Sequence, residues 1–125
     1  MIYRTLKQLI DSTYDVAWGN GQSRRLLVRD DGVGYSLTDT IVRAGTESLL
    51  RYSNHLETCY CIEGEGEVQV GKETFRITPG CMYALNGHEK HYLRAKTDLR
   101  LICVFSPALV GHEKHQLDDL NGSSY

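Results

Sequence analysis

The sequence has no uninterrupted apolar run long enough to cross a bilayer, and its first eleven residues interleave Arg4, Lys7 and Gln8 with their apolar neighbours. A membrane helix needs about 20 apolar residues and a secretory signal needs an unbroken apolar segment. No membrane partner and a cytoplasmic location are therefore expected. Charge of one sign is not in excess either: 14 Lys and Arg are interspersed with 16 Asp and Glu, for a net charge of −2. A nucleic-acid footprint needs basic residues concentrated on one face, so no nucleic-acid partner is expected. Cysteine is unpatterned. Cys59, Cys61, Cys81 and Cys103 have neither disulfide-framework nor zinc-motif spacing. Cys59 and Cys61, two apart in one apolar run, point the same way from a strand and are badly placed to bridge each other. Buried free thiols in a reducing compartment are expected. Internal repeats and low-complexity segments are absent as well.

The chain is 125 residues long, the common size of one domain, and that length buries roughly two-thirds of its unfolded surface without staples. A single domain over residues 1–125 is expected. Helical spacing occurs once, at Leu6, Leu9 and Ile10, and predicts a short helix within residues 3–11 that Ser12 and Thr13 end. From Arg24 onward, short runs rich in β-branched and aromatic residues alternate with Gly, Asp and Asn. The runs are Arg25–Arg29, Gly34–Leu37, Ile41–Arg43, Ser48–Tyr52, Cys59–Ile62, Glu67–Val70, Thr74–Ile77, Met82–Leu85, His91–Ala95 and Arg100–Phe105. Asp31-Gly32 and Gly71-Lys72 are two-residue hairpin signals. Many short, evenly spaced strands predict an all-β sandwich or closed barrel, which removes exposed edges. Residues 106–125 lack clean periodicity and are expected to pack as a loop or short helix across a barrel mouth, a candidate lid.

Two segments carry the residues with chemistry. In Asn54-His55-Leu56-Glu57-Thr58-Cys59-Tyr60-Cys61-Ile62-Glu63-Gly64-Glu65-Gly66, an acid precedes an apolar strand and a Gly-acid-Gly turn. This resembles the latter part of the first cupin motif, which implies a double-stranded β-barrel (jelly roll). The two histidines that usually precede the acid would fall at Leu50 and Tyr52, and neither is histidine. The second segment runs from Pro79-Gly80 to His91, and the interval from Gly80 to His91 fits the second cupin motif. Glu57 and His91 thus survive of four expected metal ligands. A divalent ion generally wants more donors than one carboxylate and one imidazole. Tyr83, at the start of the strand leading to His91, is either a third, phenolate ligand or an ordinary barrel aromatic. Glu57 has an alternative as a strand-end acid, and His91 as a hydrogen-bonded structural histidine.

Over nearly the whole chain the sequence is similar to the ectoine synthase family. The matching stretches include Ser23-Arg24-Arg25-Leu26-Leu27, Ala44-Gly45-Thr46-Glu47, Asn54-His55-Leu56-Glu57, Tyr60 to Glu67, Met82-Tyr83-Ala84-Leu85, Lys90 to Ala95, Cys103-Val104-Phe105 and the Gly111-any-Glu113-any-His115 tail. The resemblance implies a hydro-lyase that cyclises N-γ-acetyl-L-2,4-diaminobutyrate to ectoine with loss of water, as a homodimer. It implies a ferrous ion, with zinc or manganese as alternatives, held by Glu57, Tyr83 and His91. Substrate contacts are implied at Ser23, Arg25, Thr40, Tyr52, Gly64, Cys103 and Phe105, and candidate acid–base groups at Glu113, His115 and His55.

The chain departs from the family pattern at Gly21 in place of a Trp, with Trp18 nearby, and at Thr38 in place of an Asn. Ser106-Pro107-Ala108 and Gln116 also differ from it. These changes touch the pocket and lid more than the metal set. Two other readings follow: a related metal-dependent cupin that cyclises or hydrolyses another small amino-acid amide, and a non-catalytic cupin that binds a small polar ligand.

Overall fold

The computed structural model describes residues 1–114. After a short helix α1 (Leu6–Leu9) come ten strands: β1 (Asp15–Ala17), β2 (Gly21–Leu27), β3 (Ser36–Val42), β4 (Glu47–Leu50), β5 (Leu56–Glu63), β6 (Gly66–Val70), β7 (Glu73–Ile77), β8 (Met82–Leu85), β9 (His91–Ala95) and β10 (Leu99–Ser106). One sheet has the order β1-β2-β3-β10-β5-β8 and the other β4-β9-β6-β7, with every pairing antiparallel.

Side-chain alternation sets the core. Along β10, Leu99, Leu101, Cys103 and Phe105 are buried while the residues between them are half-buried. On β5 the inward set is Glu57, Cys59 and Cys61, and on β9 it is His91, Leu93 and Ala95. With period 2, one face of each strand lines the space between the sheets. The acid Glu57 and the imidazole of His91 therefore occupy positions that would ordinarily hold a Val or Leu, and this is how the fold brings distant polar groups into an apolar interior.

Local chemistry explains the ends of the elements. Thr5 caps α1: its hydroxyl accepts from the Gln8 amide at 3.4 Å, and the Gln8 side-chain oxygen accepts from the Thr5 amide at 2.8 Å. The helix is shorter than its sequence pattern suggests because Ile10 turns extended and Asp11 adopts φ 64°, leaving Leu9 as its buried residue. The Gly71-Lys72 pair forms the expected two-residue turn, with Val70 opposite Glu73 and Gly71 at φ 59°. Asp31-Gly32 behaves differently. Arg29–Asp31 form a 3₁₀ turn that Gly32 closes in the left-handed region, so the β2–β3 connection is a longer loop. The Asp31 carboxylate fixes it by accepting from the Val28 amide and pairing with Arg4 at 2.7 Å.

The apolar segments Gly34–Leu37 and Ile41–Arg43 belong to one strand, β3, joined through Thr38-Asp39-Thr40. Asp39 is buried on the outer side of that strand between two cations: Arg24 at 2.8 Å and Arg100 at 2.7 Å. Burial pushes its carboxyl up, but hydrogen bonds from Arg100 and Arg24 outweigh this and hold it below the usual range. Removing one partner of a buried pair leaves the other charge uncompensated. Asp39→Ala is expected to lose about 3 kcal/mol of stability in urea unfolding, the signature of stranding Arg24.

Candidate active site

A narrow cavity of ≈ 30 Å³ opens between the sheets, space for one or two water molecules. Ser23, Thr40, Tyr52, Glu57, Tyr83, Cys103 and Phe105, all sequence-predicted, share its wall. They converge because the strands pair directly. Ser23 lies opposite Thr40, Glu57 opposite Phe105, and Cys59 opposite both Cys103 and Tyr83. Tyr52 meets Phe105 edge to face at 5.1 Å between ring centres.

His91 comes from the other sheet, and its ring centre is 6.1 Å from that of Tyr52. It is 1% exposed. Its Nδ1 donates to the Glu89 carbonyl at 3.0 Å, and its Nε2 has no hydrogen-bond partner among the described residues. An Nδ1–H fixed on a carbonyl leaves the lone pair on Nε2, the tautomer a metal ligand needs. A buried polar atom without a partner costs about 1–3 kcal/mol, so this nitrogen calls for an electron-pair acceptor. Burial also holds the imidazole below its ordinary pKa and favours the neutral form.

Glu57 is buried as well. Burial pushes its carboxyl up to about 8, against a smaller lowering by a hydrogen bond from Cys59. Burial likewise drives the Tyr83 phenol well up, with Cys59 and Glu57 adding to it. A divalent cation reverses this logic by stabilising the anionic forms of both. Among the described residues, the carboxylate of Glu57 and the thiols of Cys59 and Cys103 also lie within 4.8 Å of one another, a grouping that suggests a metal. His91 is outside that grouping.

The remaining predicted residues among those described lie outside the cavity wall. Arg25 is fully buried, donates from Nε to the Ser23 hydroxyl at 3.3 Å, and stands 3.7 Å from Glu113. Glu113 accepts from the Val110 and Gly111 amides at 2.7 and 2.8 Å. Burial raises its pKa, but those amides, its own amide and the Arg25 charge outweigh this and keep it below the ordinary range. His55 holds the Pro107 carbonyl through Nδ1 at 2.8 Å, with its ring edge-on to Phe105. Gly64 lies at the β5–β6 connection rather than in the cavity wall. Its φ is 95°, and a Cβ there would meet the Asp98 carbonyl oxygen at 2.1 Å. His115 lies outside the described residues. In the segment before it, Leu109 is fully buried, its amide donates to the Ser36 hydroxyl, and its carbonyl accepts from the Arg29 amide at 2.7 Å.

Sequence reading missed Trp18 and Cys59 as wall residues. Gly21 carries the signal for the first. A Cβ at that position would sit 1.7 Å from the Ile41 carbonyl oxygen and 3.1 Å from the Trp18 indole nitrogen. The indole thus fills the space beside Gly21, and its nitrogen donates to Ile41 at 3.3 Å. Thr38, at the other departure from the family pattern, is fully buried and shares a hydrogen bond with Thr40 at 3.1 Å.

Two antiparallel sheets closing over a small, mostly apolar cavity make this a cupin-type barrel. The fold is shared with KdgF from Halomonas sp., at TM-score 0.63 and 20% identity over 74% of this chain and 84% of that one. The ectoine synthase family profile matches residues 1–123, and the chain belongs to that family. It is 52% identical over 121 residues to L-ectoine synthase of Oceanobacillus iheyensis, covering 94% of each chain. It is 49% identical over 125 residues to L-ectoine synthase of Thermobifida fusca, covering 98% of this chain and 91% of that one. The crystal structure of ectoine synthase from P. lautus superposes at TM-score 0.86 with 54% identity, over 89% of this chain and 81% of that one. Family membership makes the chain an enzyme of the hydro-lyase class.

Proposed function

We propose that the chain closes N-γ-acetyl-L-2,4-diaminobutyrate into ectoine, expelling water, at a divalent ion of the ferrous type held by Glu57, Tyr83 and His91. The observation that carries the metal reading is the buried Nε2 of His91, which has no partner among the described residues and has its tautomer set by the Glu89 carbonyl. A carboxylate, a phenol and an imidazole are donors that iron accepts, and manganese or zinc as well. When bound, such an ion supplies Lewis acidity at the acetamide oxygen.

The protein's own groups then have distinct tasks. Arg25, a fully buried fork of N–H donors beside Ser23, orients the substrate carboxylate. Tyr52 and Phe105, packed edge to face, supply the apolar wall that keeps competing water from the electrophilic carbon. The attacking α-amine must lose a proton and the departing oxygen must gain one. His55, fixed through Nδ1 on the Pro107 carbonyl and edge-on to Phe105 of the cavity wall, is assigned the first task. Glu113 is held ionised by backbone amides, which makes it a weak base and a better electrostatic partner for the substrate amine and for Arg25. Ser23, Thr40 and Cys103 add hydroxyl and thiol groups to the wall, Gly64 shapes the β5–β6 turn, and His115 is assigned to acid–base exchange.

The chain acts as one domain over residues 1–125 and pairs as a homodimer. Exposed Tyr60 and Met82, opposite each other on β5 and the edge strand β8, support an apolar face for a second copy. The cellular role that follows is compatible-solute synthesis under osmotic stress in the cytoplasm. No helix among the described residues is long and apolar enough to cross a membrane.

Iron-loaded protein incubated with N-γ-acetyl-diaminobutyrate is expected to yield ectoine, detected by chromatography and mass. Unchanged substrate with turnover of another small amide would instead point to a different cyclase or hydrolase. Binding without any turnover would point to a ligand-binding cupin.

A further inference from the structure

The Cys59 and Cys103 thiols are cross-strand neighbours on β5 and β10, with sulfurs 3.3 Å apart. Both are buried, and Glu57, two residues before Cys59 on the same face, brings a carboxylate oxygen within 4.8 Å of each. We propose that Glu57, Cys59 and Cys103 form a second metal-ligand set, sharing Glu57 with the first, that takes a thiophilic divalent ion of the zinc class.

The dimensions fit. Two thiolates on a tetrahedral zinc, with Zn–S of about 2.3 Å, stand about 3.8 Å apart. The pair therefore has to open by about half an ångström, a shift that χ1 adjustments can absorb. Two sulfurs and one carboxylate leave a fourth position open, and all three residues line the cavity. Softness separates the two sets. Thiolates select zinc-like ions, whereas an oxygen and nitrogen set serves harder ones. The two sets compete for Glu57, because both draw on its single carboxylate. On binding, each thiol loses its proton to solvent as its metal–sulfur bond forms, with no change of oxidation state. A thiophilic ion held there takes Glu57 from the first set and Cys103 from the substrate wall, so it inhibits by mis-metallation. The other two cysteines are excluded by placement: the Cys61 thiol donates to the Glu63 carbonyl, and the Cys81 thiol contacts the Thr78 hydroxyl.

Cobalt(II) is the probe, added to the metal-free full-length chain, because cobalt–thiolate bonds give a near-ultraviolet charge-transfer band. The band is expected in the parent chain, in Cys61→Ala and in His91→Ala, and is expected to be lost in Cys59→Ala and Cys103→Ala. A variant that does not fold is replaced by a second measurement on the parent chain: zinc is expected to protect Cys59 and Cys103, but not Cys81, from alkylation mapped by mass spectrometry. Cobalt bound without the band overturns this inference and leaves the Glu57, Tyr83 and His91 reading standing. A band that persists in Cys59→Ala or Cys103→Ala, or equal alkylation of all the thiols, also overturns it. No cobalt bound at all overturns both readings.

Discussion

His91→Ala is expected to purify with almost no ferrous ion and to form no detectable ectoine, while its far-ultraviolet circular dichroism stays that of the parent. Substitutions in the shell around metal ligands already cost 10–100-fold in affinity, so loss of the ligand itself should cost about 100-fold or more. The side chain is buried, and its Nδ1 is engaged by the Glu89 carbonyl. The substitution therefore removes an atom with a hydrogen-bonded back and an unpartnered front. A histidine kept only for packing would behave differently: removing it would lower stability and leave metal content unchanged. Metal analysis beside an activity assay separates the two. Full ferrous occupancy in His91→Ala removes this residue from the ligand set, and normal ectoine formation without metal removes the metal from the reaction. His91→Gln adds a finer check, since an amide can fill the volume but offers a poorer donor, and partial occupancy is expected.

How far the fold and site could be read from sequence depended on whether a residue obeyed its neighbours. The β5, β9 and β10 strands were legible because their apolar residues alternate cleanly, and Gly71-Lys72 marked its turn because only a two-residue link fits between two such strands. Thr38-Asp39-Thr40 hid the continuity of β3. Polar residues there look like a break, yet Asp39 is buried between two arginines and Thr40 faces the cavity. β2 began earlier than expected for the same reason, since Ser23, Arg24 and Arg25 are buried polar residues in a strand. Glu57 and His91 were found through motif spacing rather than periodicity, because each is a polar residue on an inward-facing position. Cys59 and Cys103 lie 44 positions apart. Their contact exists only through the β5–β10 pairing, a long-range fact that no local pattern records. The Trp18 indole beside Gly21 was invisible for a related reason: the clash that forbids a side chain at Gly21 involves Ile41, which the fold alone brings there.

Glu57 should make the metal-free protein lose stability as pH rises. Its folded carboxyl titrates near 8, against an ordinary value of 4.5, because burial penalises the anion. The folded chain therefore holds this proton more tightly than the unfolded chain does. By linkage, stability falls with pH wherever the native state binds more protons. The contribution is fully present below pH 4.5, declines through the interval from 4.5 to about 8, and changes no further above it. At 1.36 kcal/mol per pKa unit, the whole interval corresponds to about 5 kcal/mol. Glu57→Gln cannot ionise, so urea unfolding of the metal-free variant should show a much flatter pH dependence and, at pH 8, a higher midpoint than the parent. A divalent ion should reverse the order, because it favours the carboxylate and needs the ligand. Metal-loaded parent at pH 8 is expected to outlast Glu57→Gln, which gains nothing from added metal. Parallel pH curves for the two metal-free proteins would mean that Glu57 is ionised in the empty cavity and is compensated there by a group other than a metal.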